Sequence, residues 1–171
     1  RTNLFTFLAT GTGEATGADF QGVLAQAWGQ LQVLFEDDAI QAVYFVNPLD
    51  IADYLSDAAI TTQTAFGMTY VENFLGLGTV IMNASVPKGK VYATAKENIV
   101  MYYIPVNGAD LNEAFEFTTD ATGYIGIHEE PDYSNMTASD TVVNGMTFFA
   151  ERIDGIVVGT IGEGAVGETG A

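Results

Sequence analysis

The sequence predicts an α+β fold, a mixed sheet with a few helices, from three patterns in its apolar residues. Phe20, Val23, Leu24, Ala27, Trp28, Leu31, Leu34 and Phe35 recur at the three- and four-residue spacing of one helical face. Ala42-Val43-Tyr44-Phe45-Val46 is a continuous apolar run, as in a central strand covered on both faces. The closing stretch from Phe148 to Ile161 is among the most apolar of the chain, carries Arg152 and leads into a Gly-rich tail. It predicts buried strands that close a domain.

In chain order, Asn3 to Ala9 reads as a short apolar strand or extended arm, and Thr10 to Gly17 as a Gly/Thr loop. The helix follows. Gln21, Gln26, Gln30 and Gln32 lie off its apolar stripe, so its polar face is neutral. Such a face suits a helix packed against other subunits, and equally a surface helix that uses glutamine. Glu36, Asp37 and Asp38 oppose the helix dipole and mark the exit. After the 42–46 strand, Asn47 caps a second helix, with Pro48 at its first position and Asp50 three residues after the cap. Ile51, Ala52, Tyr54, Leu55 and Ala58 form the buried side of that helix.

Thr61 to Met68 reads as a polar loop, and Leu75 to Met82 as the entry to a strand. Val86-Pro87-Lys88-Gly89-Lys90 is a turn, with Pro and Gly at turn positions. Val91 to Ala95 and Ile99 to Val106 follow as strands. Asn107-Gly108 breaks the chain, and Asp110 to Phe117 forms a short helix. Tyr124 to His128 is a strand and Glu129 to Asp140 an acidic loop. Val142 to Ala150 and Ile153 to Ile161 are the last strands, and Gly162 to Ala171 is a flexible tail.

Composition narrows the function. The 171 residues suffice for a core, and with no Cys there is neither a disulfide scaffold nor a thiolate site. No apolar run reaches the ~18 residues of a membrane helix. Residues Arg1 to Ala9 imitate a signal peptide only loosely. Without an initiator Met, the chain is expected to begin inside a longer reading frame. Twenty-two acidic residues against five basic give a net charge of −17, which repels phosphate and anionic membranes. Charged residues make up only 16% of the chain, below the ~25% of an average domain. That combination suits a protein whose surface is covered by neighbours; a well-cored monomer is the alternative.

Chemistry has few footholds. Gly11-Thr12-Gly13-Glu14-Ala15-Thr16-Gly17, between an apolar segment and a long helix, has the setting of a dinucleotide-binding turn. Glu14 and Asp19 would face the phosphates, and no Lys or Arg lies nearby. A hinge before a helix explains the glycines as well. The only histidine, His128, stands beside Glu129, Glu130 and Asp132, residue types that hold metals. Adjacent strand residues point to opposite faces, so a solvated acidic loop is the simpler reading. Asp154 beside Arg152 reads as an ion pair or turn residue. The Asn83 and Asn135 glycosylation triplets are chance matches. No catalytic, cofactor or metal residues are assigned.

Taken together, the segments resemble the major capsid proteins of HK97-type tailed phages. Val43 to Pro48 followed by a helix resembles the family's strand–helix step, and Gly76 to Ile81 one of its strands. Val86 to Ala93 is similar to its Pro/Gly turn and following strand, Phe148 to Ile161 to its closing strands, and Gly11 to Glu36 to its Gly/Thr stretch and long spine helix. The resemblance implies a peripheral subdomain over residues 1–38 and 141–161, an axial subdomain over 39–140 and a tail over 162–171. It also implies a non-enzymatic subunit that self-assembles into pentamers and hexamers of an icosahedral phage head around double-stranded DNA. Portal and scaffold proteins would be its partners, with no cofactor, no sequence-specific nucleic-acid binding and no membrane. Its location would be the virion, and the bacterial cytoplasm during assembly. The family's N-terminal arm and extended loop are mostly or wholly missing. Two alternatives stand beside it: an encapsulin-like cage of the same fold, and an α/β nucleotide-binding enzyme using Gly11 to Gly17.

Overall fold

A computed structural model describes residues 3–35, 40–56, 60–65, 68–104, 118–119 and 125–162. It is a mixed α+β structure in two compact units, 1–100 with 150–171, and 101–149. The helices are α1 (Leu4–Leu8), α2 (Phe20–Leu34) and α3 (Pro48–Leu55). The strands are β1 (Gly13–Gly17), β2 (Ala42–Val46), β3 (Gln63–Ala65), β4 (Met68–Phe74), β5 (Gly78–Met82), β6 (Lys90–Ala95), β7 (Ile99–Ile104), β8 (Thr118–Thr119), β9 (Ile125–Asp132), β10 (Thr137–Ala150) and β11 (Ile156–Ile161). No described helix is long and apolar enough to cross a membrane.

The first unit is built on a seven-stranded sheet of order β1-β11-β6-β2-β5-β4-β3. β1 runs parallel to β11 and β2 parallel to β5; β6 is antiparallel to both β11 and β2. One face carries the main core. Phe20, Val23, Leu24, Ala27 and Leu31 of α2 meet Tyr44, Val46, Val71, Val80, Val91, Ala93 and Val157. Each fully buried Val, Leu or Phe among them stabilises by roughly 1.5–3 kcal/mol. α3 joins this face through Tyr54, which packs with Phe20 and Phe74. The hydroxyl of buried Tyr44 donates to the Leu77 carbonyl at 3.2 Å, and burial pushes its titration well above the ordinary phenol range.

α1 packs on the opposite face, where Leu8, Val86, Tyr92 and Ile156 form a second core and Phe5 meets Phe45 edge-on at 5.8 Å. The predicted extended arm over Asn3 to Ala9 is therefore a short helix. Asn3 starts it by accepting from the Thr6 amide at 2.8 Å, a local cap that outweighs the β-like composition. β2 is not equally covered on both faces. Ala42, Tyr44 and Val46 are buried, while Val43 and Phe45 on the α1 side are half-buried.

Two other loops are strands. The polar stretch from Thr61 to Met68 contains β3, paired antiparallel to β4 with Gln63 opposite Tyr70. The acidic stretch from Glu129 to Asp140 is the end of β9, a turn and the start of β10, with Asp132 opposite Thr137. The second unit, by itself, holds a four-stranded sheet of order β7-β10-β9-β8. The predicted helix from Asp110 to Phe117 and the tail after Gly162 lie outside the described residues.

α2 has 15 residues and begins where Asp19 accepts from the Gly22 amide at 2.8 Å. Of the predicted stripe, Phe20, Val23, Leu24, Ala27 and Leu31 are buried, Leu34 and the C-cap Phe35 are half-buried, and Trp28 is 37% exposed. On α3, Asn47 caps and Pro48 leads as predicted, Ile51 is buried, and Ala52 is exposed.

Candidate assembly surfaces

The Gly/Thr segment is no phosphate loop. It is β1, an edge strand with Glu14 opposite Val158 and Ala15 opposite Gly159. Its glycines serve close packing. A Cβ at Gly11 would lie 2.4 Å from the Ile156 carbonyl, and one at Gly17 would lie 2.7 Å from the Val23 backbone nitrogen. The α2 N-terminus, where a phosphate would sit, is satisfied by the carboxylate of Asp19.

Two glutamines of α2 find their partners here. Gln26 Oε1 accepts from the Thr16 amide at 3.0 Å, and Gln30 Nε2 donates to the Glu14 carbonyl. Four residues of helix advance ~6 Å and two residues of strand ~6.6 Å, so the two rows match. Alternate residues of a strand point their backbone groups the same way, which puts Glu14 and Thr16 on the edge away from β11. The side chains thus take the place of a further strand along an edge that would otherwise invite pairing.

Arg152 sits in a polar knot. Its guanidinium meets Asp154 at 3.1 Å, donates to the Leu34 carbonyl at the end of α2 at 2.9 Å, and lies 5.7 Å from the Phe35 ring centroid. The hydrogen bond from Arg152, with its charge, holds the Asp154 carboxyl below the usual range. Beneath it, buried Asn98 accepts the Arg152 amide at 2.9 Å and donates to the Arg152 carbonyl at 2.9 Å and Thr94 Oγ1 at 3.1 Å. Arg152 thus has structural partners within its own chain, and the ion pair with Asp154 that the sequence suggested is among them.

Among the described residues, two surfaces stand out. The first is the part of the α1-side sheet face that α1 leaves open. There Val43, Phe45, Tyr70 and Ile81 line a groove of about 490 Å³ together with Met68 and Ile99, and its lining carries one charge of each sign, Lys96 and Glu72. The second is the β9–β10 turn. Asp132 accepts from Ser134 and Asn135, which together draw its pKa down to about 2, and Tyr133 and Met136 are exposed. His128 pairs with Thr141 and Glu129 with Asp140 along this hairpin. No group of three or more metal-ligating side chains occurs among the described residues. Sequence reasoning passed over both surfaces. The continuous apolar run from Ala42 to Val46 predicted cover on both faces, whereas Val43 and Phe45 are only half-buried.

No known family profile matches the chain, and no curated protein does. Among solved structures it is similar to the holo-SrpI encapsulin complex from Synechococcus elongatus PCC 7942. That match has 15% identity and a TM-score of 0.51 over 87% of this chain and 50% of that one. It is also similar to the virus-like particle from Pyrococcus furiosus, with 13% identity and a TM-score of 0.49 over 88% of this chain and 58% of that one. The chain thus spans about half the length of these proteins. At such identity the first likeness speaks for the fold alone, one shared with a chain of that encapsulin complex.

Proposed function

We propose that the chain is a structural subunit that self-associates into a closed protein shell and catalyses nothing. The observation that carries this reading is the encapsulin-like fold over 87% of the chain. Two features support it. Large apolar side chains stand exposed at separated places, among them Val33, Leu49, Leu75, Tyr133 and Met136. Among the described residues, the buried polar groups Thr94 and Asn98 are taken up in structural hydrogen bonds.

The finer reading is an icosahedral shell of pentamers and hexamers. The order of motifs along the chain favours a phage head, whose acidic inner wall would let packaged DNA slide. Portal and scaffold proteins would then be partners, and α2 would be the spine helix. The encapsulin likeness favours a cell-built cage equally well. The peripheral (1–38, 141–161) and axial (39–140) spans are proposed as roles of chain segments; β1 and β11 hydrogen-bond into one sheet with β2 to β6.

Electron microscopy and sedimentation of the full-length gene product test the reading. Closed shells, rings or curved sheets are the expected result. A protein that stays monomeric at high concentration and across a range of salt would refute it. Neighbouring terminase, portal and protease genes would separate a phage head from a cage.

A further inference from the structure

The edge of a sheet is either guarded by the chain itself or open to pairing with another strand. Among the described residues, three of the four sheet edges are guarded. Gln26 and Gln30 bond along β1 at Thr16 and Glu14. β3 has three residues and β8 has two, too short to template a partner strand. The fourth edge is β7, which has six residues and neither kind of guard among the described residues. It is apolar throughout, with no charge, no Pro and no Gly. The acidic residues of the 101–149 unit all lie outside it. Met101 and Tyr102, which an alternating strand turns to opposite faces, are 42% and 56% exposed.

The backbone shows which residues of β7 face outward. The Glu151 amide donates to the Asn98 carbonyl at 3.0 Å, so that carbonyl turns toward the end of β10. A trans peptide is planar, so the Ile99 amide points the opposite way. Ile99 is extended, at φ −103° and ψ 120°, and keeps its carbonyl on the same side as its amide. By alternation, Ile99, Met101 and Tyr103 turn both backbone groups away from β10, and Val100 and Tyr102 turn theirs toward it. An incoming strand therefore meets donors and acceptors centred on Met101.

We propose that β7 of one copy pairs antiparallel with β7 of a second copy about a two-fold axis at Met101. Antiparallel pairing sets outward residues opposite outward residues. Met101 then faces Met101 of the second copy, and Ile99 faces Tyr103 of the second copy. Each of these pairs exchanges both of its hydrogen bonds. The occupant is a second β7 because no other described edge is both unguarded and long enough to match it. With no charge on β7, the ladder brings no like charges face to face, although each copy carries −17. The contact is isologous and closes as a pair, so it supplies a two-fold of a shell that other contacts complete. This deepens the shell reading and rests on its premise that copies associate.

The absence of native Cys gives a clean test. In a hydrogen-bonded antiparallel pair the Cα atoms stand ~5.5 Å apart, within the ~4.4–6.8 Å that a disulfide spans. Full-length Met101→Cys under mild oxidation should therefore link to itself as a two-chain product. Its yield should be about tenfold that of Met136→Cys, whose site is 90% exposed but lies on the β9–β10 turn. Met101→Lys alone and Met101→Glu alone set like charges opposite each other, so each should weaken association several-fold. Mixing the two should restore it, which misfolded variants would not do. Shells that form without the Met101→Cys crosslink would overturn the pairing and leave the shell reading standing. Linked pairs that never grow into shells would uphold the pairing and count against the shell. Chains that do not associate at all would overturn both. Equal yields from Met101→Cys and Met136→Cys would mean random collision and would overturn the pairing.

Discussion

Asp50 Oδ2 accepts the Gly89 amide at 2.7 Å, tying the first turn of α3 to the Pro87–Lys90 turn 39 residues later. Beside it, Asn47 Nδ2 donates to the Val86 carbonyl at 2.8 Å, and the Ile161 amide donates to the Gly89 carbonyl at 2.9 Å. Three distant segments meet at one turn. A hydrogen bond to a charged group contributes roughly 1.5–3 kcal/mol, so Asp50→Ala should destabilise by about that much. Asp50→Asn keeps an acceptor and should lose less than half of it. Urea denaturation of both variants checks this, and equal losses would mean that the bond is not what the carboxylate contributes.

The glycines of β1 and α2 should respond in opposite directions. A Cβ at Gly17 would lie 2.7 Å from the Val23 backbone nitrogen, and a backbone atom yields only if the helix shifts. Gly17→Ala should therefore cost about 1–3 kcal/mol. At Gly29, inside α2, nothing lies within 4 Å of where a Cβ would stand, so Gly29→Ala should stabilise by about 0.4–1 kcal/mol. Thermal melts of the two variants should shift in opposite directions.

Gln26 and Gln30 should protect the β1 edge. Replacing both by Ala removes the side-chain bonds at Thr16 and Glu14, each contributing on the order of 1 kcal/mol. Hydrogen exchange at the Thr16 amide should accelerate, and the exposed edge should make the variant prone to aggregate. Unchanged exchange at Thr16 would contradict this role.

The elements that local pattern specifies were legible. The stripe from Phe20 to Leu31 gave α2, the Asn47-Pro48 pair gave the start of α3, and the run from Ala42 to Val46 gave β2. Pairing across the sequence was not legible. Gly13 to Gly17 has no strand-like composition and becomes a strand because β11 and two glutamines satisfy its backbone. Asn3 to Leu8 is apolar enough for a strand and folds as a helix because it caps itself and packs on Phe45. The hairpin at Asp132 was hidden by acidic residues that read as loop. The groove was hidden because burial on one face of β2 says nothing of what covers the other.

The braced turn should survive into strong acid. The folded pKa of Asp132, about 2, lies below the ordinary value of ~3.9. A lowered carboxyl pKa contributes stability that is complete above the unfolded value and is lost as pH falls through the folded one. The turn should therefore hold down to about pH 4 and loosen as pH falls toward about 2. Amide chemical shifts of Ser134 and Asn135 followed from pH 5 to pH 2 report it directly. A midpoint near the ordinary carboxyl value would show that those bonds do not hold the charged form.

Self-association should strengthen with salt. Each copy carries a net charge of −17, so bringing copies together gathers like charge. The Debye length falls from ~10 Å at 0.1 M salt to ~3 Å at 1 M, which screens that repulsion and leaves apolar contact largely intact. Ion pairs between copies would weaken too, but an exposed pair contributes only ~0–1 kcal/mol and is outweighed by the repulsion of the whole surface. Light scattering of the full-length protein should therefore show the threshold for assembly falling as salt rises. A threshold that climbs with salt would mean that ion pairs hold the copies together and that apolar contact does not drive assembly.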